Sequence, residues 1–132
     1  MVDYCIDTSI IVEFLRGNEA IENKINTIIY NGLNIFTTYI TLCELYKGAF
    51  LHSKKEEKIK DLNVFIQNSS IINFTITSCQ IFGELYFNLS KKGKIIPESD
   101  LMIASIARAN NLILITRDKR HFKNLGIRVE QW

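Results

Sequence analysis

The sequence predicts an α/β fold in which helices cover both faces of a parallel sheet. Short runs of β-forming residues alternate with longer segments whose apolar residues recur at helical spacing, an order typical of strands joined by crossover helices. One run, LILIT at 112–116, is apolar throughout, as strands are when both faces of a parallel sheet are covered. We expect the 132 residues to form a single domain over 1–132.

The first half of the chain is predicted to hold three strands and four helices. VDYCI at 2–6 is typical of a strand, and SIIVEFLRG predicts a helix that ends before Gly17. The later elements are a helix with Ile21, Ile25, Ile28 and Ile29 on one face, a strand at 34–38, a helix with the stripe Leu42, Leu45, Tyr46, Ala49 and Phe50, a helix within 52–68, and a strand from residue 70.

The second half is predicted to hold two helices and two strands. Thr77 to Lys92 forms an amphipathic helix in which Thr77 and Gln80 have capping-box spacing and Gly93 ends the helix. Pro97 suits the first turn of a helix that runs to Asn110. LILIT follows, and IRVE at 127–130 predicts an edge strand.

Composition and motifs argue against several classes of protein. Cys5, Cys43 and Cys79 are odd in number and stand among apolar residues, so we expect reduced, buried thiols. His52 and His121 lack the spacing of a zinc site. No apolar run reaches the ~18 residues that cross a bilayer and no signal-peptide pattern is present, so we expect a cytoplasmic protein. Because nucleophile-elbow and glycine-rich phosphate loops are absent from the sequence, carboxylates are the candidate catalytic groups.

Four acidic residues map to one edge of the predicted sheet. Asp7 follows the first strand, Glu44 lies in the first turn of the helix after the second strand, Asp100 opens the helix behind Pro97, and Asp118 follows LILIT. Ligands of parallel sheets bind at this edge, where strands end and helices begin. A cluster of acids there is tolerated mainly when a cation balances it, and Mg²⁺ or Mn²⁺ with a phosphate-ester substrate would suit oxygen ligands.

Each acid also has a purely structural explanation. Asp7 or Ser9 can cap the first helix, Glu44 can complete a capping box with Thr41, Asp100 complements a helix dipole, and Asp118 fits an ordinary turn. The pattern alone leaves both explanations open.

Basic residues give a second indication. The net charge of +2 is too small to announce a nucleic-acid-binding protein, but Arg117, Lys119, Arg120 and Lys123 surround Asp118 and suit a phosphate backbone. The clusters KKEEKIK and KKGK are better explained as solvated helix surfaces.

Four segments, in order, resemble the PIN-domain family, and specifically its small VapC-type toxin ribonucleases. They are IDTSIIVEFLRG, TLCEL with YKGA after it, SDLMIASIARANN, and LILITRDKRHF, which together span essentially the whole chain. The resemblance implies a mostly parallel five-stranded sheet in an αβα sandwich. It implies that Asp7, Glu44, Asp100 and Asp118 bind Mg²⁺ or Mn²⁺, that Thr8 and Thr116 orient these carboxylates, and that a metal-activated water cleaves RNA.

The resemblance also implies two protein partners, a small VapB-like antitoxin and a second copy of the chain. Tyr46, Phe50, Tyr86 and Phe87 would suit such an interface if they are exposed, although a place in the core is the simpler explanation for some of them.

Three other functions are alternatives to the toxin ribonuclease. A receiver domain or a haloacid-dehalogenase-like phosphatase lacks support, because Ser9 stands where the phosphatase needs a second Asp and no adjacent acidic pair occurs near the first strand. A PIN nuclease of RNA maturation and a non-enzymatic PIN module that binds RNA or protein stay open as alternatives.

Overall fold

The computed structural model of the chain describes residues 3–132 and contains one five-stranded sheet in that range. The strands are β1 (Tyr4–Ile6), β2 (Ile35–Thr38), β3 (Ser70–Ile72), β4 (Ile113–Thr116) and β5 (Val129–Gln131), in the spatial order β3-β2-β1-β4-β5. All four strand pairings are parallel, which confirms the predicted fold class. Residue 2 of the predicted first strand lies outside the described residues.

Side chains of the central strands alternate between two apolar clusters. Cys5 and Leu114 belong to one cluster, whereas Ile6 and Ile115 belong to the other. Since β1 and β4 pair Cys5 with Leu114 and Ile6 with Ile115, each pair of neighbours projects to the same side of the sheet. Both faces are therefore covered, as the apolar run at 112–116 predicts.

Six α-helices and one 3₁₀ helix lie in the described part of the chain. The α-helices are α1 (Thr8–Leu15), α2 (Glu19–Tyr30), α3 (Tyr39–Leu51), α4 (Lys55–Gln67), α5 (Ile76–Lys91) and α6 (Glu98–Ala109), and the 3₁₀ helix spans Lys119–Phe122. Buried residues of α1 to α4 join the cluster around Ile6, and those of α5 and α6 join the cluster around Cys5. Gly17 and Gly93, which have positive φ, follow the ends of α1 and α5 as expected.

The predicted caps of α3 and α5 are wrong by two or three residues. Thr38 caps α3 by accepting from the Thr41 backbone N–H at 3.0 Å, so Thr41 is inside the helix and forms no capping box with Glu44. The capping box of α5 pairs Thr75 with Ser78, not Thr77 with Gln80. In both cases several hydroxyl side chains lie just before or within the first turn of the helix, and sequence spacing alone does not choose among them.

The prediction of three buried thiols holds only for Cys5. Burial raises the pKa of the Cys5 thiol to about 12, so this side chain is a neutral part of the core. Cys43 and Cys79 are exposed, because each lies on the outer face of an amphipathic helix beside, rather than within, its apolar stripe.

Over the described residues, no helix combines the length and hydrophobicity needed to span a membrane.

Candidate active site

The end of β1 places Asp7 at the centre of the carboxyl edge of the sheet. Its backbone N–H donates to the Ile115 carbonyl oxygen at 2.9 Å, which ties the residue to the neighbouring strand β4. Extended backbone angles make Asp7 the N-cap of α1, and Asp7 Oδ1 accepts from the Thr8 backbone N–H at 2.8 Å. The side chain is only 7% exposed, so its orientation is fixed by the protein rather than by solvent.

The end of β4 supplies a hydroxyl that joins two of the acids. Thr116 Oγ1 donates to Asp7 Oδ2 at 2.9 Å and accepts from the Asp118 backbone N–H at 3.2 Å. Thr116 is buried, and Ser9 adds a longer bond of 3.3 Å to the same Asp7 oxygen. Asp7 and Asp118, 111 positions apart in sequence, are thus connected through one side chain.

Glu44 reaches this edge from the second turn of α3, one turn later than the sequence predicts. Its Oε1 accepts from Thr8 Oγ1 at 2.6 Å, and its Oε2 accepts from Ser99 Oγ at 3.3 Å. Thr8 therefore binds Asp7 with its backbone and Glu44 with its side chain, which links the first helix to the third.

His121 lies between the other two acids. Its Nδ1 is 3.3 Å from Asp100 Oδ2 and its Nε2 is 3.6 Å from Asp118 Oδ2. Asp118 also caps the 3₁₀ helix and accepts two bonds from the Arg120 guanidinium, at 3.1 and 3.2 Å. Because Ser99 directly precedes Asp100, these contacts form a closed circuit, and we call Asp7, Glu44, Asp100 and Asp118 the acid ring.

Burial and mutual repulsion act on two members of the acid ring. The pKa of Asp7 is raised by burial, with a smaller contribution from the charge of Glu44, while the hydrogen bonds from Thr116, Thr8 and Ser9 oppose the rise. The pKa of Asp100 is raised by burial and by the charges of Asp7 and Glu44. By contrast, hydrogen bonds from Arg120 hold the pKa of Asp118 below its usual value.

The chemistry of the acid ring suits a hard divalent cation. All of the candidate ligands are carboxylate oxygens, and among residues 3–132 no lysine or arginine forms an ion pair with Asp7, Glu44 or Asp100. In their present orientations, no group of three or more His, Cys, Asp or Glu side chains in that range could hold a metal ion. The carboxylate oxygens fit such an ion chemically. In the structure they are arranged as a network in which hydroxyl groups and His121 contact the acids.

Three contacts of the acid ring escape sequence reasoning. Ser9 and Ser99 give no separate signal beyond their position beside Asp7 and Asp100. His121 lacks the spacing of a zinc ligand and its side chain is half exposed, yet it contacts two acids. The HF pair at the end of LILITRDKRHF is the sequence signal that indicates a role for this residue.

Comparison with known proteins agrees with this architecture. The family model of the PIN domain matches residues 4–127. Ribonuclease VapC2 of Haemophilus influenzae is 31% identical over 134 residues, covering 100% of this chain and 99% of the relative. Ribonuclease VapC2 of Rickettsia felis is 33% identical over 131 residues, covering 98% and 97%. A crystal structure of VapBC2 from Rickettsia felis, bound to a DNA fragment from their promoter, superposes with a TM-score of 0.92 at 32% identity and covers 100% of this chain and 99% of that one.

Proposed function

The chain belongs to the PIN-domain family, and we propose that it is an endoribonuclease that acts as the toxin of a VapBC-type toxin-antitoxin pair. The observation that carries this proposal is the acid ring, four carboxylates held at the carboxyl edge of a parallel sheet in a chain similar to ribonucleases along its whole length. The substrate is RNA, and the cytoplasm is the expected place of action.

The residues that would hold Mg²⁺ or Mn²⁺ are Asp7, Glu44, Asp100 and Asp118. When bound, such an ion supplies a water of lowered pKa and offsets the charge that develops on the leaving oxygen of a phosphodiester. The task of the protein is to hold the carboxylates: Thr116 fixes one oxygen of Asp7, and Thr8 fixes one oxygen of Glu44. The burial of Asp7 also shields this carboxylate from bulk water.

Cleavage assays on the purified chain test the enzymatic part of the proposal. Asp7→Asn and Asp100→Asn should each slow the cleavage of single-stranded RNA in Mg²⁺ or Mn²⁺ by at least roughly a hundredfold, because a lost ligand removes several kcal/mol of charge stabilisation. EDTA should stop the wild-type reaction. Glu22→Gln is the matched control, since it removes one carboxylate charge from an exposed position on α2.

Thermal unfolding must show that the Asn variants stay folded. Wild-type rates in Asp7→Asn and Asp100→Asn would contradict the proposal, and so would undiminished cleavage in EDTA.

The proposed partners are a small VapB-like antitoxin and a second copy of the chain. The solved structure named above is that of a VapBC complex, which supports the first partner. Phe50, Tyr86 and Phe87 are each at least 50% exposed on α3 and α5, which supports an apolar contact between copies. Tyr46 is instead half-buried and donates a hydrogen bond to Asn63.

Growth arrest on expression, relieved by co-expression of the antitoxin encoded beside the toxin, would separate a toxin from a nuclease of RNA maturation.

A further inference from the structure

Two basic segments that are far apart in sequence meet beside the acid ring. One follows α5 and contributes Lys92 and Lys94, and the other is the 3₁₀ helix with its flank, which contributes Lys119, Arg120 and Lys123. We call these five residues the cationic track. The sequence explains KKGK as a solvated surface, but the fold places two of its lysines next to the basic residues that follow Asp118.

Three adjoining cavities define the shape of the cationic track. Their volumes are about 490, 70 and 260 Å³. Lys123 lines all three cavities, Lys94 lines the second and third, and Arg120 lines the first and third. The shared residues show that the three cavities adjoin one another along one stretch of the surface.

The cationic track begins where the acid ring ends. His121, which contacts Asp100 and Asp118, also lines the cavity of about 260 Å³ together with Lys94 and Lys123. Arg120 lines the same cavity and binds Asp118. A polyanion that reaches the acid ring from this side must therefore pass over the lysines.

The charge of the cationic track is one-sided. Among residues 3–132, no acidic residue lines any of the three cavities, although the whole chain carries 14 acidic residues against 16 basic ones. Within residues 3–132, Lys92, Lys94, Lys119 and Lys123 form no ion pair, and their charges stay available to a ligand. Leu89, Ile96 and Leu125 give the cavity of about 260 Å³ an apolar surface, which suits the sugars and base faces of a strand.

From this placement we propose that the cationic track binds the backbone phosphates of single-stranded RNA on one side of the scissile bond. This inference rests on the proposed ribonuclease function and names the surface that guides its substrate. The lysines contact phosphates without reading bases, so they set the affinity and the path of the strand. The track thus compensates for the repulsion that the acid ring exerts on a phosphate chain.

Steady-state cleavage by the full chain in Mg²⁺ tests the proposal through the paired variant Lys94→Gln/Lys123→Gln. If each lysine neutralises one phosphate, the slope of log KM against log salt should fall by about 1.4, which corresponds to a KM roughly 25-fold higher at ~0.1 M salt. The value of kcat should stay unchanged, because these contacts are equally strong before and during the reaction. Lys94→Arg/Lys123→Arg should restore KM.

Lys54→Gln/Lys60→Gln is the matched control, since it removes the same charge from exposed positions at and near α4, on the opposite face of the sheet. This control should keep the wild-type KM and salt dependence. An unchanged KM and an unchanged salt slope in Lys94→Gln/Lys123→Gln would overturn the proposal that the cationic track binds phosphates. Normal cleavage by that variant would leave the proposed ribonuclease function intact. A fall in kcat alone would also overturn the proposal for the cationic track, because it would assign the lysines to the chemical step. A wild-type chain that cleaves no RNA would refute both proposals.

Discussion

The same substitution at two buried threonines, in the strands on either side of β1, should change stability in opposite directions. Thr116 donates a hydrogen bond of 2.9 Å to the buried carboxylate of Asp7 and accepts one from the Asp118 backbone. Thr37 in β2 is equally buried, but within residues 3–132 its Oγ1 has no hydrogen-bond partner. Valine preserves the shape of threonine in both places, so the difference between the two variants isolates the hydroxyl group.

The magnitudes follow from what each hydroxyl does. A hydrogen bond to a charged group contributes about 1.5–3 kcal/mol, so Thr116→Val should lower the free energy of unfolding by about 2 kcal/mol, or roughly 6–8 °C in Tm for a chain of this size. A buried hydroxyl without a partner costs about 1–3 kcal/mol, so Thr37→Val should raise the free energy of unfolding by about 1 kcal/mol.

Acidification should separate the two variants further. The Thr116 bond favours the charged form of Asp7 and so opposes the rise in its pKa. The loss caused by Thr116→Val is therefore complete above the folded pKa of Asp7 and shrinks as pH falls through that value, because a protonated carboxyl needs the bond less. The effect of Thr37→Val should not vary with pH.

Urea unfolding in EDTA, at neutral pH and in the acidic range where Asp7 takes up a proton, measures all four values. Thr116→Ser is the control, because it keeps the hydroxyl and should retain most of the stability. Equal losses in the two valine variants, or a Thr116→Val loss that grows on acidification, would refute the reasoning.

Two further predictions concern stability. Asp7→Asn should raise the urea midpoint in EDTA at neutral pH, since burial and the charge of Glu44 disfavour the charged carboxylate. Because the pKa of Asp7 is raised in the folded protein, this gain in stability should disappear as the pH falls through that pKa. A lower midpoint than that of the wild type at every pH would contradict the expectation. Gly83→Ala, at an exposed position in the middle of α5, should stabilise the chain by about 1 kcal/mol, because an added Cβ meets nothing within 4 Å. Gly17→Ala should instead cost about 1 kcal/mol, because the φ of Gly17 is +82°. Tm shifts of the same sign in both variants would show that backbone conformation does not decide the effect.

The fold was predictable because its signals are local and repeated. Apolar spacing identified the helices, and the unbroken run at 112–116 indicated a strand covered on both faces, which the two clusters around Cys5 and Ile6 confirm. Element boundaries were less predictable. IRVE at 127–130 contains only the start of β5, which spans Val129–Gln131, because strand limits depend on pairing with β4 rather than on the segment itself.

The arrangement of the site was predictable only as far as topology determines it. Parallel strands bring the residues after β1 and β4 to one edge, so a shared edge for Asp7 and Asp118 follows from the sequence, whereas their proximity depends on the pairing of β1 with β4. The contacts of Glu44 depend on where α3 begins, and a start at Tyr39 puts this residue in the second turn rather than the first. The bridging position of His121 depends on the 3₁₀ helix after Asp118, for which the sequence gives no periodic signal.

Capping and ligand binding, which the sequence sets against each other at Asp7, are compatible in the structure. A helix cap uses one carboxylate oxygen to accept from a backbone N–H, and here Oδ1 does so with Thr8. The extended backbone of the cap residue, φ −73° and ψ 160°, then directs the second oxygen along the sheet edge, where Thr116 binds it. The cap therefore fixes the carboxylate in the orientation that a site at the end of β1 requires. Asp118 repeats the arrangement, since it caps the 3₁₀ helix and faces His121 with its other oxygen. An acid at a strand-to-helix junction is thus oriented by its structural role, and the convergence of several such junctions is the feature that indicates function.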